Sequence, residues 1–237
     1  MGSQPERTSP LLSPTWGKFY PPRRCSSWFE RRAEQQGYAR IAGVDEVGRG
    51  ALFGPVFAAA VILDPRKRIP GLRDSKVLTA EKRERLAVEI RQQAVAWSVA
   101  GVEAEEIDRI NIYQASRLAM RKALLGLRPA AQFALVDALR LDLDLPQLPI
   151  IDGDALSISI AAASIVAKVE RDALMREWDR VYPEYGLAGN KGYSTRAHKE
   201  TLQRLGPTPL HRRSYLPVAL AAPKPAGVSG TLFDTIP

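Results

Sequence analysis

Two adjacent carboxylates, Asp45 and Glu46, stand at the end of an apolar run that begins at residue 41. Aspartate and glutamate are poor strand residues, so a strand that ends in both of them indicates that they bind a cation. Gly48-Arg49-Gly50 follows directly, and the glycines let a ligand approach the backbone closely. Carboxylate oxygens beside a glycine-rich turn and an arginine suit a hard metal ion that faces a phosphate group. The run therefore predicts a metal-and-phosphate site at the end of a strand.

The composition indicates a globular protein with an anionic partner. Of its 237 residues 45% are hydrophobic and 25% charged, which is enough for one domain with a packed core. The net charge of +8 favours nucleic acid as the partner, then an anionic membrane surface, with solubility alone as the plain alternative. A single cysteine, Cys25, allows no intramolecular disulfide and no cysteine-based zinc site. No apolar run reaches the ~18 residues of a membrane span and the N-terminus lacks a signal peptide's apolar segment, so we expect a cytoplasmic protein without membrane contact.

The pattern along the chain indicates an α/β domain between two tails. Residues 1–25 carry five prolines and four basic residues and predict a disordered basic tail, whereas residues 217–237 are rich in Ala, Pro and Gly and predict a flexible one. The domain between them spans residues 26–216, and it opens with a short helix that ends at residue 37. Apolar runs predict strands over residues 38–47, 56–63, 95–102, 133–136 and 148–151. Helical spacing and capping residues predict helices over residues 79–93, 111–125, 160–181 and 195–205.

Two later apolar segments also end in acidic residues. Asp137 follows the fourth predicted strand, and Asp154 lies in the turn after the fifth. Each alone is also typical of an ordinary turn or cap, but ligands gather beyond strand ends in such sheets, so we expect all four acids to meet. Four carboxylates repel one another, and two Mg²⁺ ions about 3.5–4 Å apart would relieve this and support phosphoryl displacement. Because neighbouring strand residues point to opposite faces, we expect either Asp45 or Glu46 to lie at a frayed edge or to use its backbone carbonyl.

Five short motifs stand in the order in which they occur in one known family. The motifs are Ala42-Gly-Val-Asp-Glu-Val-Gly-Arg-Gly50, Asp74-Ser75-Lys76, the run over residues 161–172, Lys191-Gly192-Tyr193 and His211-Arg212-Arg213-Ser214. With them the chain resembles type 2 ribonuclease H (ribonuclease HII) over residues 26–220. Each motif alone is weak, but five in order are specific.

The resemblance implies a fold, an activity and a metal. The fold is a ribonuclease H-like mixed five-stranded sheet flanked by helices, with a helical C-terminal extension. The activity is endonucleolytic cleavage of RNA in RNA–DNA hybrids and 5′ of single ribonucleotides embedded in duplex DNA. Cleavage would proceed by two-metal-ion hydrolysis with Mg²⁺ or Mn²⁺ and would leave a 3′-hydroxyl and a 5′-phosphate. The family's four metal-binding acids correspond here to Asp45, Glu46, Asp137 and Asp154.

The resemblance also implies which residues bind the substrate. Residues 48–50 would bring backbone groups against the ribose 2′-hydroxyl, which distinguishes RNA from DNA, and Arg49 would neutralise a phosphate. Tyr193 would stack on the sugar of the next nucleotide, with an ordinary core tyrosine as the alternative. Ser75 and Lys76 would grip a phosphate, with a solvated loop as the alternative.

A basic segment, residues 189–215, predicts a track for the duplex backbone. It holds six basic residues against one acid, Glu200, which gives a net charge of +5. Contacts of this kind set register and affinity rather than sequence preference. The six are Lys191, Arg196, Lys199, Arg204, Arg212 and Arg213.

The sequence departs from the family pattern beside two of the acids. Ala138 follows the third acid, where glycine is usual, and Asp152 precedes the fourth, where lysine is expected. Asp152 is therefore a competing or additional ligand, and Asp142 and Asp144 are minor competitors. These departures favour a catalytically silent protein that binds hybrids or duplexes as the alternative function. A nuclease of the same fold that acts only on long hybrids is a third possibility.

Several residues have a structural and a functional interpretation. We expect His198 and His211 to be structural or to lie near phosphates. Lys168, Arg171 and Asp172 either support the site or form a solvated face. Residues 231–233 resemble a degenerate sliding-clamp peptide, and we expect a monomer.

Overall fold

The computed structural model describes residues 24–72 and 75–221. Asp74, the N-terminal tail to residue 23 and the predicted clamp peptide at 231–233 lie outside the described residues. Helix α9 (Leu216–Ala221) extends the folded part five residues beyond the predicted domain end, and its Val218 is buried. In the part that is described, no helix is long and apolar enough to cross a membrane.

A mixed five-stranded sheet forms the centre of the described fold, which confirms the predicted architecture. Its strands are β1 (Ile41–Val47), β2 (Val56–Ile62), β3 (Ala96–Val102), β4 (Phe133–Asp137) and β5 (Gln147–Ile150). The order across the sheet is β3-β2-β1-β4-β5. Strand β1 is antiparallel to β2 and parallel to β4, and β5 continues the parallel half. The carboxyl ends of β1, β4 and β5 therefore meet at one edge.

Helices cover both faces of this sheet. The larger ones are α1 (Trp28–Gln35), α2 (Ala80–Gln93), α4 (Ile112–Leu125), α6 (Ile158–Val181) and α8 (Arg196–Leu205). The cap predicted for α2 forms, because the hydroxyl of Thr79 accepts a bond from the backbone three residues later, and the hydroxyl of Thr195 caps α8 in the same way. Shorter pieces that were not predicted are α3 (Ala104–Ile110), α5 (Gly153–Leu156), α7 (Leu187–Asn190) and 3₁₀ turns at Ser75–Val77 and Pro183–Tyr185.

Helix α6 packs tightly on the sheet because both surfaces carry small residues. A Cβ atom at Gly43 would lie 2.0 Å from the backbone carbon of Ser159, so only glycine fits at that position. The small-residue start of α6, Ala161 to Ala163, is fully buried. Helix α4 covers the opposite face with a cluster that includes Ala119 and Met120. The sheet edge that carries the acids is thus held between two packed layers.

Candidate active site

Three of the four predicted acids meet where β1 and β4 end. Carboxylate oxygens of Asp45, Glu46 and Asp137 lie within 4.8 Å of one another. The parallel pairing of β1 with β4 stops at Val44 opposite Val136, so both β1 acids lie beyond the last pair on that side. On the other side both acids stay paired with β2, Asp45 opposite Ala59 and Glu46 opposite Ala58. The use of a frayed edge or of a backbone carbonyl therefore stays a prediction. The carboxylates of both residues nevertheless reach the same space.

Burial and mutual repulsion set the electrostatics of this acid group, by which we mean Asp45, Glu46 and Asp137. Desolvation, followed by the charge on Glu46, raises the pKa of Asp45 well above its usual value. Burial also raises the pKa of Glu46, although the Arg49 guanidinium opposes this at 3.3 Å, and burial raises that of Asp137. The Oε2 atom of Glu46 is buried without a hydrogen-bond partner. Oxygen ligands that are buried, mutually repelling and unsatisfied fit a hard divalent cation.

The fourth acid lies beside this group and is held by a lysine. Asp154, 5% exposed, accepts a hydrogen bond from the Lys76 ammonium at 2.9 Å and is not part of the group. The two sites are linked, because the Gly153 amide donates to Oδ1 of Asp137 at 2.8 Å. Asp154 also contributes to the raised pKa of Asp137. The Lys76 ammonium is thus paired with a carboxylate and is not simply part of a solvated loop.

The competing acids lie apart. Asp152 is exposed and adopts a left-handed backbone conformation with φ of +53°. Asp142 and Asp144 are exposed in the connection between β4 and β5, and neither belongs to the acid group. Ala138, directly after Asp137, has φ of +48°, which is a conformation that favours glycine.

A cleft of about 120 Å³ joins the acids to the predicted substrate residues. Its lining includes Asp45, Glu46, Ser75, Lys76 and Tyr193, together with Val47, Arg83, Ser164 and Lys168. Ser75 is buried, with its hydroxyl 2.9 Å from that of Ser164. Ser164 in turn hydrogen-bonds Asp45. Ser75 therefore supports an acid through Ser164, which differs from the direct phosphate grip predicted for it.

The segment after the glycine-rich turn forms the middle of a small ribbon. We call residues 51–54, 192–193 and 210–212 the recognition ribbon. On one side the Leu52 amide donates to the carbonyl of Gly192 at 2.8 Å. On the other side the Arg212 amide donates to the carbonyl of Leu52 at 2.9 Å, and that of Gly54 to Leu210 at 2.9 Å. The ribbon fixes the turn at residues 48–50 relative to Tyr193.

Two buried arginines hold the ribbon from below. Arg171 is fully buried, and its guanidinium donates to the backbone carbonyls of Phe53, Pro55 and Lys191 at 2.7–3.3 Å. Burial lowers its pKa to about 10. A Cβ atom at Gly48, where φ is +91°, would lie 2.3 Å from Nε of Arg171. Glycine at position 48 is therefore required by the packing as well as by the backbone.

The second buried arginine corrects a prediction. Arg212, predicted to contact the duplex, is fully buried and donates to the carbonyls of Gly54 and Arg49, both at 2.9 Å. It braces the turn instead of facing solvent. Its neighbour Arg213 is exposed, and the Arg213 amide donates to Asp108. Of this adjacent pair, only Arg213 presents its side chain to solvent.

Tyr193 lines the cleft, and Lys191 lies two residues before it. Tyr193 is half-buried, and its ring lies 5.3 Å from the guanidinium carbon of Arg171 and 5.8 Å from the Lys168 ammonium. Lys191 has φ of +53°, and its ammonium donates to the carbonyl of Ala188. The tyrosine face is thus presented beside the acids by two cations.

Comparisons with known proteins decide the family. Residues 42–218 match the profile of the family described as Ribonuclease HII. A ribonuclease HII from Koribacter versatilis is 58% identical over 199 residues, which cover 84% of this chain and 78% of that protein. The chain belongs to the ribonuclease HII family. It is therefore a member of a family of metal-dependent ribonucleases H, which act on RNA–DNA hybrids.

Solved structures agree with this relationship. A ribonuclease H2 from Pyrococcus horikoshii OT3 superposes with a TM-score of 0.68 at 28% identity, covering 77% of this chain and 96% of that one. A ribonuclease HII from Archaeoglobus fulgidus, solved in complex with PCNA, gives 0.62 at 28% identity and covers 73% of this chain and 92% of that one. The mixed sheet with flanking helices is thus shared with ribonucleases HII.

Sequence reasoning missed the residues that support the ribonuclease HII site from within. Arg171 was left between a supporting role and a solvated face, and the structure settles its position as fully buried. Its helix carries four charged residues within five positions, Lys168, Glu170, Arg171 and Asp172. Because arginine is mostly exposed in proteins, that run gave no signal that Arg171 would be fully buried.

Proposed function

We propose that this ribonuclease HII cleaves the RNA strand of RNA–DNA hybrids and also cuts 5′ of single ribonucleotides embedded in duplex DNA. The products would be a 3′-hydroxyl and a 5′-phosphate. The observation that carries the proposal is the cleft that places Asp45 and Glu46 of the acid group next to Tyr193 and Lys76. A hydrolytic site and a sugar-sized aromatic contact then act on adjacent nucleotides.

The acids would hold two divalent ions, Mg²⁺ or Mn²⁺. Asp45, Glu46, Asp137 and Asp154 are the proposed ligands, and the unsatisfied Oε2 of Glu46 supports this. Ions bound there would supply an activated water and stabilise charge on the leaving oxygen. Lys76, whose ammonium lies 2.9 Å from Asp154, would balance the charge of this acid until ions bind.

Discrimination of RNA from DNA would come from the turn over residues 48–50. A Cβ atom at Gly50 would meet nothing within 4 Å, so a ribose can approach its backbone closely. Tyr193 would stack on the next sugar. Arg49, 44% exposed, would release Glu46 to a metal ion and turn to a phosphate.

The duplex backbone would run along the exposed basic residues of the segment 189–215. Arg213 and Lys199 have exposed side chains, whereas Arg212 contributes through the turn that it braces. Contacts of this kind would make affinity fall with salt and leave sequence preference unaffected.

A duplex with one embedded ribonucleotide tests the proposal. The wild-type protein should cut on the 5′ side with Mg²⁺ or Mn²⁺ and stop when a chelator is added. Asp45→Asn should lose cleavage, whereas Asp142→Asn, a change at an exposed acid outside the group, should retain it. Tight binding without cleavage in either metal would favour the silent binder, and cleavage of long hybrids alone would favour the third alternative.

We further propose that the protein acts in the cytoplasm as a monomer and contacts a sliding clamp weakly through residues 231–233. The complex of the Archaeoglobus fulgidus relative with PCNA supports a clamp contact for that protein. A pull-down with and without residues 228–237 tests the contact, and equal recovery of the two chains would contradict it.

A further inference from the structure

The two histidines of the chain form one buried pair. His198 on α8 and His211 on the recognition ribbon are 0% and 1% exposed, and their Nε2 atoms lie 3.1 Å apart. Aromatic rings surround them, since Tyr185 and Phe53 each lie 5.0 Å from the His211 ring. A hydrogen bond between two imidazoles needs one ring nitrogen to carry a proton and the other to lack one.

The neighbouring hydrogen bonds determine which ring nitrogen of each histidine carries a proton. The Thr208 amide donates to Nδ1 of His211 at 3.0 Å, so that nitrogen carries no proton. The Thr208 hydroxyl accepts from the Leu210 amide and can donate to the same nitrogen at 2.9 Å. A neutral His211 therefore carries its proton on Nε2 and donates to Nε2 of His198. His198 must then carry its proton on Nδ1.

The chain of donors ends on the tyrosine of the cleft. Nδ1 of His198 lies 3.0 Å from the backbone carbonyl of Tyr193, which its proton can reach. Burial lowers the pKa of both histidines, that of His211 to about 3, so both are neutral at physiological pH. In this relay each group donates a hydrogen bond to the next, from Thr208 through His211 and His198 to the carbonyl of Tyr193.

This relay crosses underneath the recognition ribbon. His211 forms a bridge with Phe53 on one edge, and Tyr193 forms a bridge with Ala51 on the other. The histidine pair therefore connects the two outer strands of the ribbon, with the segment that follows the glycine-rich turn between them. A change in the relay alters the distance between Tyr193 and that turn.

We propose that His198 and His211 are positioning residues that set the Tyr193 backbone relative to the turn at residues 48–50 and thereby tune recognition of a single ribonucleotide. This inference rests on the proposed contact of Tyr193 with the substrate sugar. The alternative is that the pair only fills the core between α8 and the ribbon.

Two substitutions of His198 separate these roles, because each keeps a different half of the relay. His198→Asn keeps an N–H near the position of Nδ1 and can still donate to Tyr193. His198→Gln keeps an amide near the position of Nε2 and can still bond His211, but loses the donor to Tyr193. Positioning predicts that the Gln variant loses about three- to tenfold in kcat on the single-ribonucleotide duplex, the value of one hydrogen bond. The Asn variant should lose less, and neither should raise KM to that extent.

A second measurement does not depend on activity. Tag-free protein contains only these two histidines, so an imidazole ¹⁵N spectrum resolves both rings. We expect an Nδ1–H tautomer for His198 and an Nε2–H tautomer for His211, and a shift of the Tyr193 carbonyl ¹³C signal in the Gln variant that exceeds the shift in the Asn variant.

The outcomes distinguish the inference from the proposed function. Reversed tautomers, a charged ring, or equal carbonyl shifts and equal kcat losses in the two variants overturn the positioning role. If the wild-type protein does not cut the single-ribonucleotide duplex, the proposed function fails, and the tautomers and carbonyl shifts still decide whether the relay positions Tyr193.

Discussion

Replacing Asp45 with Asn should stabilise the protein in the absence of metal and remove its stabilisation by Mg²⁺. Asparagine keeps an oxygen that can accept the 2.7 Å bond from the Glu46 amide, but it removes one charge from the acid group. At the 4.8 Å limit within which the oxygens lie, two unit charges repel by about 3.5 kcal/mol at an effective dielectric constant of 20. The guanidinium of Arg49 offsets part of this, so we expect a gain of about 1–2 kcal/mol at pH 7.5.

The stability gained by Asp45→Asn should increase as the pH rises. The folded state raises the pKa of Asp45, so its contribution to stability is fully present below the unfolded pKa of about 3.9 and is lost as pH rises through the raised folded value. The wild-type protein in chelator should therefore weaken from pH 4 toward neutrality more than the Asn variant does. The two proteins should approach equal stability at acid pH, where Asp45 is protonated.

Thermal unfolding followed by circular dichroism, with either EDTA or MgCl₂ across that pH range, measures both effects. For a chain of this size 1 kcal/mol corresponds to a Tm change of about 2–4 °C. Asp142→Asn is the matched control, because it removes the same charge from an exposed site. A lower Tm for Asp45→Asn in EDTA, or an undiminished rise with MgCl₂, would refute the assignment of repulsion and of metal binding to this group.

Three further substitutions test the supports of the site. Ala138→Gly should stabilise the protein by about 0.5–1 kcal/mol in urea unfolding, because φ of +48° strains a residue with a Cβ atom. An unchanged free energy of unfolding would show that this turn is not strained. Gly48→Ala should destabilise the folded protein by at least about 1–3 kcal/mol because of the positive φ alone, and the added Cβ atom should displace Arg171. Both the Tm and the cleavage of the single-ribonucleotide duplex should therefore fall. An unchanged Tm would contradict this. Arg171→Lys should destabilise the folded protein by about 3 kcal/mol, because lysine lacks the planar guanidinium that donates to three carbonyls. Full stability of the Lys variant would argue against this supporting role.

The sheet and its long helices could be predicted because their signals are local. The apolar run at Val56–Ile62 is buried along most of its length, and the cap at Thr79 starts its helix as expected. Helix α3 was missed because it has only seven residues, with Glu105 and Glu106 in its first turn, and shows little apolar periodicity. Its position depends on packing of Ile107 into the core, which is a tertiary effect.

The candidate site could be predicted in its residues but only partly in its geometry. Strand ends predicted that acids would meet, yet nothing local distinguished Asp154, held by Lys76, from the three that form the group. The pair Arg212-Arg213 shows the same limit, since charge does not reveal which of two neighbours is buried. The histidine relay depends on the turns that bring Tyr193, His198, Thr208 and His211 together, and the spacing of these residues in the sequence does not predict those contacts.

The recognition ribbon has a consequence for how the protein is made. The acids are complete once residue 154 has been synthesised, and helix α6, which packs on their strands, ends at residue 181. Residue 52, however, pairs with residues 192 and 212 and cannot do so until nearly the whole domain has left the ribosome. The acids proposed to hydrolyse the substrate are therefore synthesised before the segments that complete the proposed ribose-recognition site. A chain that stops short of residue 192 would retain the acids and the turn at residues 48–50, but it would lack the segments that hold this turn relative to Tyr193. The arrangement proposed for choosing ribose would thus be completed last in biosynthesis.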